Sequence, residues 1–368
     1  MLPVRVAIIG LPRSGKTTIF NAATRGRIAV GDFSARSSAN VGVAKVPDPR
    51  LARLTAMFNP EKVVPAEITY VDFPGPPPGQ ENAPTFSGET VTALQKADAI
   101  LHVVRGFENP SAPHPKGSVD PWRDIDAVGF DLLFADIALI DRRIQRVTEG
   151  LRGSRASERD NSLKDIEVLK SVQADLEAGK PMRGRTLNDS EKRALRDTFL
   201  VSTLPYLVAL NIGESDIPRS VELEAELARR VTGTLTGSAA IAGQLEMELG
   251  QMAEAEEKEF RASLGAGEPG LERMIRLCYR AAGLISFLTV GPDEVRAWPV
   301  AEHTPAQKAA GRVHSDIERG FIRAEVVAYN DLVSAGGLAE TRKAGTLRAE
   351  GKDYVVKDGD VINFLFSV

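Results

Sequence analysis

The chain has 368 residues, 43% of them hydrophobic and 26% charged, with a formal net charge of -4. That length allows two or three domains with cores of their own, and the near-balanced charge demands no nucleic-acid partner. A single cysteine, Cys278, excludes an intrachain disulfide, and no apolar run approaches the roughly 20 residues that span a bilayer.

The first residues run directly into a strand with no leader pattern, so the expected location is the cytoplasm. Residues 4–9, V-R-V-A-I-I, form an apolar run of the kind buried in a parallel sheet. Residues 10–17 then read G-L-P-R-S-G-K-T, a full G-x-x-x-x-G-K-[ST] phosphate loop, and a helix starts in residues 18–23. Strand, glycine-bounded loop and helix in that order bring main-chain N–H groups together on an anion. Pro12, Arg13, Ser14, Gly15, Lys16, Thr17 and Thr18 are therefore the expected nucleotide-binding loop. Lys16 is expected to reach the β and γ phosphates, and the Thr17 hydroxyl to bind Mg²⁺.

Residues 67–71 and 99–104 read as further strands. Between them, residues 74–79 spell P-G-P-P-P-G, which suits neither helix nor strand interior. Asp72-Phe73-Pro74-Gly75 follows the first of these strands, where a carboxylate opposite the loop can hold the metal shell. Asp72 is thus the second expected metal group, and Gly75 the expected sensor of the γ-phosphate through its N–H. From 127 to 199, Leu132, Leu133, Ile137, Ile140, Ile144 and Val147, then Ile166, Leu169, Val172 and Leu176, recur at helical spacing. They predict two long helices in an antiparallel, coiled-coil-like hairpin, followed by a short helix capped by Asn188 or Asp189. Lys180, Arg183, Arg185, Lys192, Arg193 and Arg196 form a basic face interleaved with acids, which fits RNA contact or a solvated surface.

Residues 205–210 predict a strand ending at Asn211, and residues 232–238 a shorter one. An acidic helical stretch at 244–264, with an exposed face from 246 to 259, precedes a helix at 268–282. Strands are then expected at 286–290, 294–299, 322–329, 353–356 and 361–366, the last two joined by a turn at 357–360. One helix near 305–311 completes a small ubiquitin-like sheet. The predicted fold class is α/β. A P-loop NTPase domain occupies 1–126 and 200–284, with the hairpin inserted at 127–199 and a β-grasp domain at 285–368. His102, His114, His303 and His314 show no metal-ligand spacing, and His102 reads as a satisfied core histidine.

Guanine-reading switch proteins end a strand in N-K-x-D, whose carboxylate meets the guanine N–H groups. Here the strand ends in Asn211-Ile212-Gly213-Glu214. Apolar packing from Ile212 and amide or backbone bonds from Asn211 suit adenine better.

Residues 10–21, 46–50, 103–109, 211–214, 268–271 and 314–329 together resemble the YchF/Obg-like ATPase family, nearly end to end. The resemblance implies the same order of nucleotide domain, hairpin insertion and C-terminal TGS domain, the agreement being closest at 294–298 and 320–326. It implies a preference for ATP through Asn211 and Glu214, a base contact by Phe107 and Ile212, and closure of the base pocket by the loop of Ser238. It further implies a Mg²⁺-dependent, monomeric ATPase gated by nucleotide at the ribosome or RNA. Two positions depart from the pattern. Pro76 stands where many switch proteins orient water, and Arg36 where the family senses metal with threonine. Both predict slow hydrolysis. The alternatives are a nucleotide-binding module with negligible turnover and a GTPase of the Obg-related class.

Overall fold

The computed structural model describes residues 4–26, 39–73, 86, 88–151, 156–264 and 268–367. In chain order the first elements are β1 (Arg5–Ile9), α1 (Lys16–Thr24), β2 (Asn40–Lys45), α2 (Pro49–Phe58), β3 (Lys62–Val64) and β4 (Glu67–Asp72). Next come α3 (Gly88–Leu94), β5 (Ala99–Gly106), α4 (Pro121–Gly150), α5 (Ala156–Glu177), α6 (Asp189–Ala194) and β6 (Tyr206–Ile212). Then follow α7 (Ser220–Arg230), β7 (Thr236–Ile241), α8 (Gly243–Leu249), α9 (Glu254–Ser263) and α10 (Gly270–Ala281). The last are β8 (Leu284–Thr289), β9 (Glu294–Ala301), α11 (Ala306–Val313), α12 (Ser315–Arg319), β10 (Phe321–Ala328), α13 (Tyr329–Ala335), α14 (Leu338–Ala344), β11 (Arg348–Glu350) and β12 (Asp360–Phe366).

Contacts divide the chain into two units, 1–42 with 69–278 and 43–68 with 279–368. The first is built on a sheet of order β2-β4-β1-β5-β6-β7, in which β1 pairs in parallel with both β4 and β5, and β6 with β5 and β7. Strands buried on both faces need continuous apolar sequence, and β5 and β6 are buried along almost their whole length. One core joins Ala7, Ile9, Ile100 and Val104 of the sheet to Leu94 of α3 and to Val128 and Leu132 of α4.

The helical arm forms as its apolar spacing predicts. Asp120 caps α4 by accepting from the Arg123 N–H, and Pro121 occupies the first turn. At 30 residues α4 is about 45 Å long at the usual helical rise. Leu133 and Ile140 of α4 pack on Leu169, Val172 and Leu176 of α5. Asn188, not Asp189, caps α6, in a reciprocal capping box with Glu191. The arm's base is pinned by Asp136, fully buried, which accepts from the N–H groups of Val201 and Ser202 at 2.7 Å each. Four of the six residues of the expected basic face are paired: Lys180 with Asp175, Arg185 with Asp175 and Glu191, Arg193 with Asp165, and Lys192 with Asp189.

In the second unit the sheet order is β11-β10-β12-β8-β9-β3. Phe287, Val300, Ala309, Ala324, Val326 and Phe364 form its core, with Trp298 and Phe321 packed against it. Residues 43–68, read from sequence within the nucleotide domain, belong to this unit because β3 pairs in parallel with β9. Arg50 ties the same segment down, bonded to Asp48 and Asp358.

Several elements differ from the sequence reading. The short strand is β7 at Thr236–Ile241, not 232–238, since 232–235 form an exposed turn. Residues 353–356 make only a single bridge, Val355 to Pro305, so the expected hairpin into 361–366 is absent. In its place β10 pairs antiparallel with both β11 and β12. The acidic stretch at 244–264 is two helices, and Glu246 is buried against Arg261 rather than exposed. Helices α12, α13 and α14 were not anticipated; short segments with few apolar repeats give little periodic signal.

Candidate nucleotide site

The phosphate loop joins β1 to α1 with two glycines in conformations that side chains avoid. Gly10 has φ +144°, and a Cβ there would lie 2.3 Å from the Val103 carbonyl oxygen. Gly15 has φ +93°, and a Cβ would lie 2.1 Å from the Asn211 amide nitrogen. The first turn of α1 therefore opens at Lys16 with N–H groups that have no helical partner of their own.

Lys16 is buried, and its ammonium donates to the carbonyls of Gly10 and Leu11 at 2.9 and 3.0 Å. Burial pushes it down to about 8, with the Asp72 charge opposing that shift. Folded back in this way, the ammonium spans the loop in which a phosphate would lie.

Thr17 donates its hydroxyl proton to Asp72 Oδ2 at 3.0 Å, and Asn40 donates to the same oxygen at 3.2 Å. Asp72 Oδ1 is buried with no hydrogen-bond partner among the described residues. A hydroxyl and a carboxylate with one unmatched oxygen are the hard donors that Mg²⁺ prefers, so the pair fits that ion. Gly75, Pro76 and Arg36 lie outside the described residues.

Asn211 does not offer its amide to a base. Nδ2 donates to the Ser14 carbonyl at 3.1 Å, and Oδ1 accepts from the Gly243 N–H at 3.0 Å, with the residue 3% exposed. It braces the phosphate loop from the end of β6. Ile212 is buried in the core and lines a cavity of about 500 Å³ with Ile217, Ala240, Ala242 and Leu245. Phe107 stands beside the same turn: a Cβ on Gly213 would lie 3.6 Å from Phe107 Cβ. Glu214 is exposed at the turn. Ser238 lies inside β7, opposite Val208, and not on a closing loop. The segment after β7 is Ala242-Gly243, whose N–H reaches Asn211.

Three contacts near the loop were not visible in the sequence. Arg105, at the end of β5, donates to the carbonyls of Phe107 and Ala112. Arg13 donates to the Pro113 carbonyl at 2.9 Å. His114 and Asp124 form a buried pair at 2.8 Å, and His114 Nδ1 accepts from the Lys116 N–H, which leaves Nε2 to donate to the carboxylate. His102 is only half satisfied. Nδ1 meets the Tyr206 hydroxyl at 2.6 Å, while Nε2 is buried without a partner among the described residues. Burial, with the Lys16 charge adding to it, pushes the His102 ring down to about 3, so it is neutral.

Comparison with known proteins agrees with this architecture. The chain is 34% identical to the "Ribosome-binding ATPase YchF" of Bacillus subtilis (strain 168), over 100% of both chains. The chain belongs to the YchF family. The Escherichia coli O157:H7 protein of the same name is 34% identical over 99% of each chain. The solved structure of the Schizosaccharomyces pombe YchF GTPase superposes with a TM-score of 0.81 at 27% identity, covering 98% of this chain and 97% of that one. Residues 5–128 match the family described as 50S ribosome-binding GTPase, and residues 284–367 match the YchF-GTPase C-terminal family, described as a protein of unknown function. Among the described residues, no helix is long and apolar enough to cross a membrane.

Proposed function

We propose that this YchF-family chain is an ATP-preferring P-loop NTPase that hydrolyses its nucleotide slowly and acts with the ribosome in the cytoplasm. The observation that carries the reading is the Thr17–Asp72 contact with its unmatched carboxylate oxygen, set beside a phosphate loop already braced by Asn211. Lys16 would exchange its two carbonyl acceptors for β and γ phosphate oxygens. Thr17 and Asp72 would hold Mg²⁺, whose charge offsets that of the triphosphate. The preference for adenine rests on Glu214 standing where a guanine site needs its aspartate, and on the apolar Ile212 and Phe107 near the turn. The role of Gly75 rests on the D-x-x-G pattern, and slow turnover on Pro76 and Arg36. Ribosome association is supported by the names of the relatives.

Relatives carry both ATPase and GTPase in their names, so the base must be tested directly. Calorimetry with Mg²⁺ should find ATP bound at least about tenfold more tightly than GTP, a difference of 1.4 kcal/mol. Equal or reversed affinities would replace the adenine reading with a GTPase. Single-turnover hydrolysis, with and without ribosomes, should stay below about 1 s⁻¹ for the chain alone and rise when ribosomes are added.

A further inference from the structure

Arg105 is 1% exposed, and no carboxylate among the described residues lies within ion-pair distance of it, although the charge of Glu108 acts on it from farther away. Nε donates to the Phe107 carbonyl at 2.9 Å, and Nη1 to the Ala112 carbonyl at 2.7 Å and, at the long distance of 3.5 Å, to that of Arg13. Nη2 is buried without a partner among the described residues. The same guanidinium lies 4.8 Å from the centroid of the Phe107 ring. Arg13 answers from the phosphate loop with its own bond to Pro113.

Burying a cation among neutral carbonyls is costly, and a loop that merely had to be closed could use a neutral amide. A guanidinium adds two things an amide lacks: a rigid fork of donors and a cationic plane that covers an aromatic face. Here the fork joins the Phe107 and Ala112 carbonyls, and the cation lies against the Phe107 ring. One arm holds the Phe107 main chain, another bonds Ala112 and extends toward the phosphate loop at Arg13, and the guanidinium carbon lies over the Phe107 ring.

We infer that Arg105 is a positioning residue for the nucleotide base. It fixes the Phe107 ring relative to the phosphate loop, so that the two ends of the ligand meet one rigid surface. This rests on the reading that ATP occupies the loop with its purine against Phe107. Arg105 touches neither base nor phosphate; it acts through Phe107.

Inorganic tripolyphosphate separates this role from a merely structural one, because it fills the phosphate loop and has no base. ATP and tripolyphosphate affinities are measured by calorimetry on the full chain for the wild type, Arg105→Lys, Arg105→Gln, Phe107→Ala and Arg105→Lys/Phe107→Ala. A base stacked on an aromatic ring contributes enough that Phe107→Ala and both Arg105 variants should weaken ATP about tenfold. Tripolyphosphate affinity should stay within about twofold of wild type, well inside one tenfold step. The double variant should bind ATP no more weakly than Phe107→Ala, since coupled residues are not additive. Wild-type ATP affinity in Arg105→Lys overturns the inference. So does a parallel loss of tripolyphosphate or of folding in both Arg105 variants, which would make Arg105 a structural clamp. A wild type that binds tripolyphosphate but gains nothing from the base removes the underlying reading of Phe107 instead.

Discussion

The side-chain nitrogen of Asn211 lies 3.1 Å from the Ser14 carbonyl oxygen, 197 residues away in sequence, while its oxygen takes the Gly243 N–H. One amide thus joins the phosphate loop to the ends of β6 and β7. Its role is to hold the loop's shape.

Asn211→Asp keeps the acceptor for Gly243 and loses the donor to Ser14, setting a carboxylate against a carbonyl. Leaving a buried partner unmatched costs about 1–3 kcal/mol. ATP affinity should fall about tenfold or more, by the corresponding conversion. Calorimetry returning wild-type affinity for this variant would break the proposed link between the strand end and the loop.

Lys16 sits at about 8 in the folded chain against 10.5 for the free side chain. Phosphate oxygens favour the charged ammonium, so binding ATP raises that value and takes up protons between about pH 8 and the raised value. Affinity should therefore be flat below about pH 8 and weaken above it, by at most about tenfold per pH unit. The sign for stability is opposite. Between 8 and 10.5 the unfolded chain holds more protons at this lysine, so its contribution to the stability of the ligand-free protein rises with pH. Titrations in buffers of different ionisation enthalpy check the uptake; a pH-independent affinity up to pH 9.5 contradicts it.

Asp136 is the joint between the helical arm and the turn at Val201–Thr203 that leads into β6, and it is fully buried with two N–H donors. Asp136→Ala leaves both N–H groups without an acceptor. The expected loss is about 3 kcal/mol, the scale of charged buried hydrogen bonds. Chemical denaturation should show a lower midpoint; an unchanged midpoint would mean that water replaces the carboxylate.

Cys278 lies in the core beside Tyr70, and burial pushes its thiol up to about 12. Thiol reagents at pH 8 should label it only as fast as the chain opens, with full labelling in denaturant. Rapid stoichiometric labelling of the native protein would place Cys278 outside the core.

The phosphate loop was legible because its chemistry is local. Gly10 and Gly15 are needed for their backbone conformation, and Lys16 and Thr17 supply an ammonium and a hydroxyl, all within eight residues. The approach of Asp72 to Thr17 was legible from the D-x-x-G pattern at the end of a strand. Ser238, which the family resemblance put on a closing loop, lies inside β7, and the loop partner of Asn211 is at Gly243. Arg105 gave no signal, since its partners are main-chain carbonyls that any residue could supply. His114 and Asp124 are ten residues apart across a loop and a helix cap, with no periodicity to connect them.

By itself, the order of amino acids determined the strand–glycine-loop–helix at the start of the chain, the paired long helices and the mixed α/β class with a separate C-terminal sheet. Each depends on neighbours a few residues apart, or on apolar repeats that only one kind of element can bury. The folded chain alone decided that β3 completes the C-terminal sheet, that Asn211 braces the loop, and that Arg105 faces Phe107. Those contacts join side chains to distant strands and carbonyls, and they exist only once packing has brought the two together.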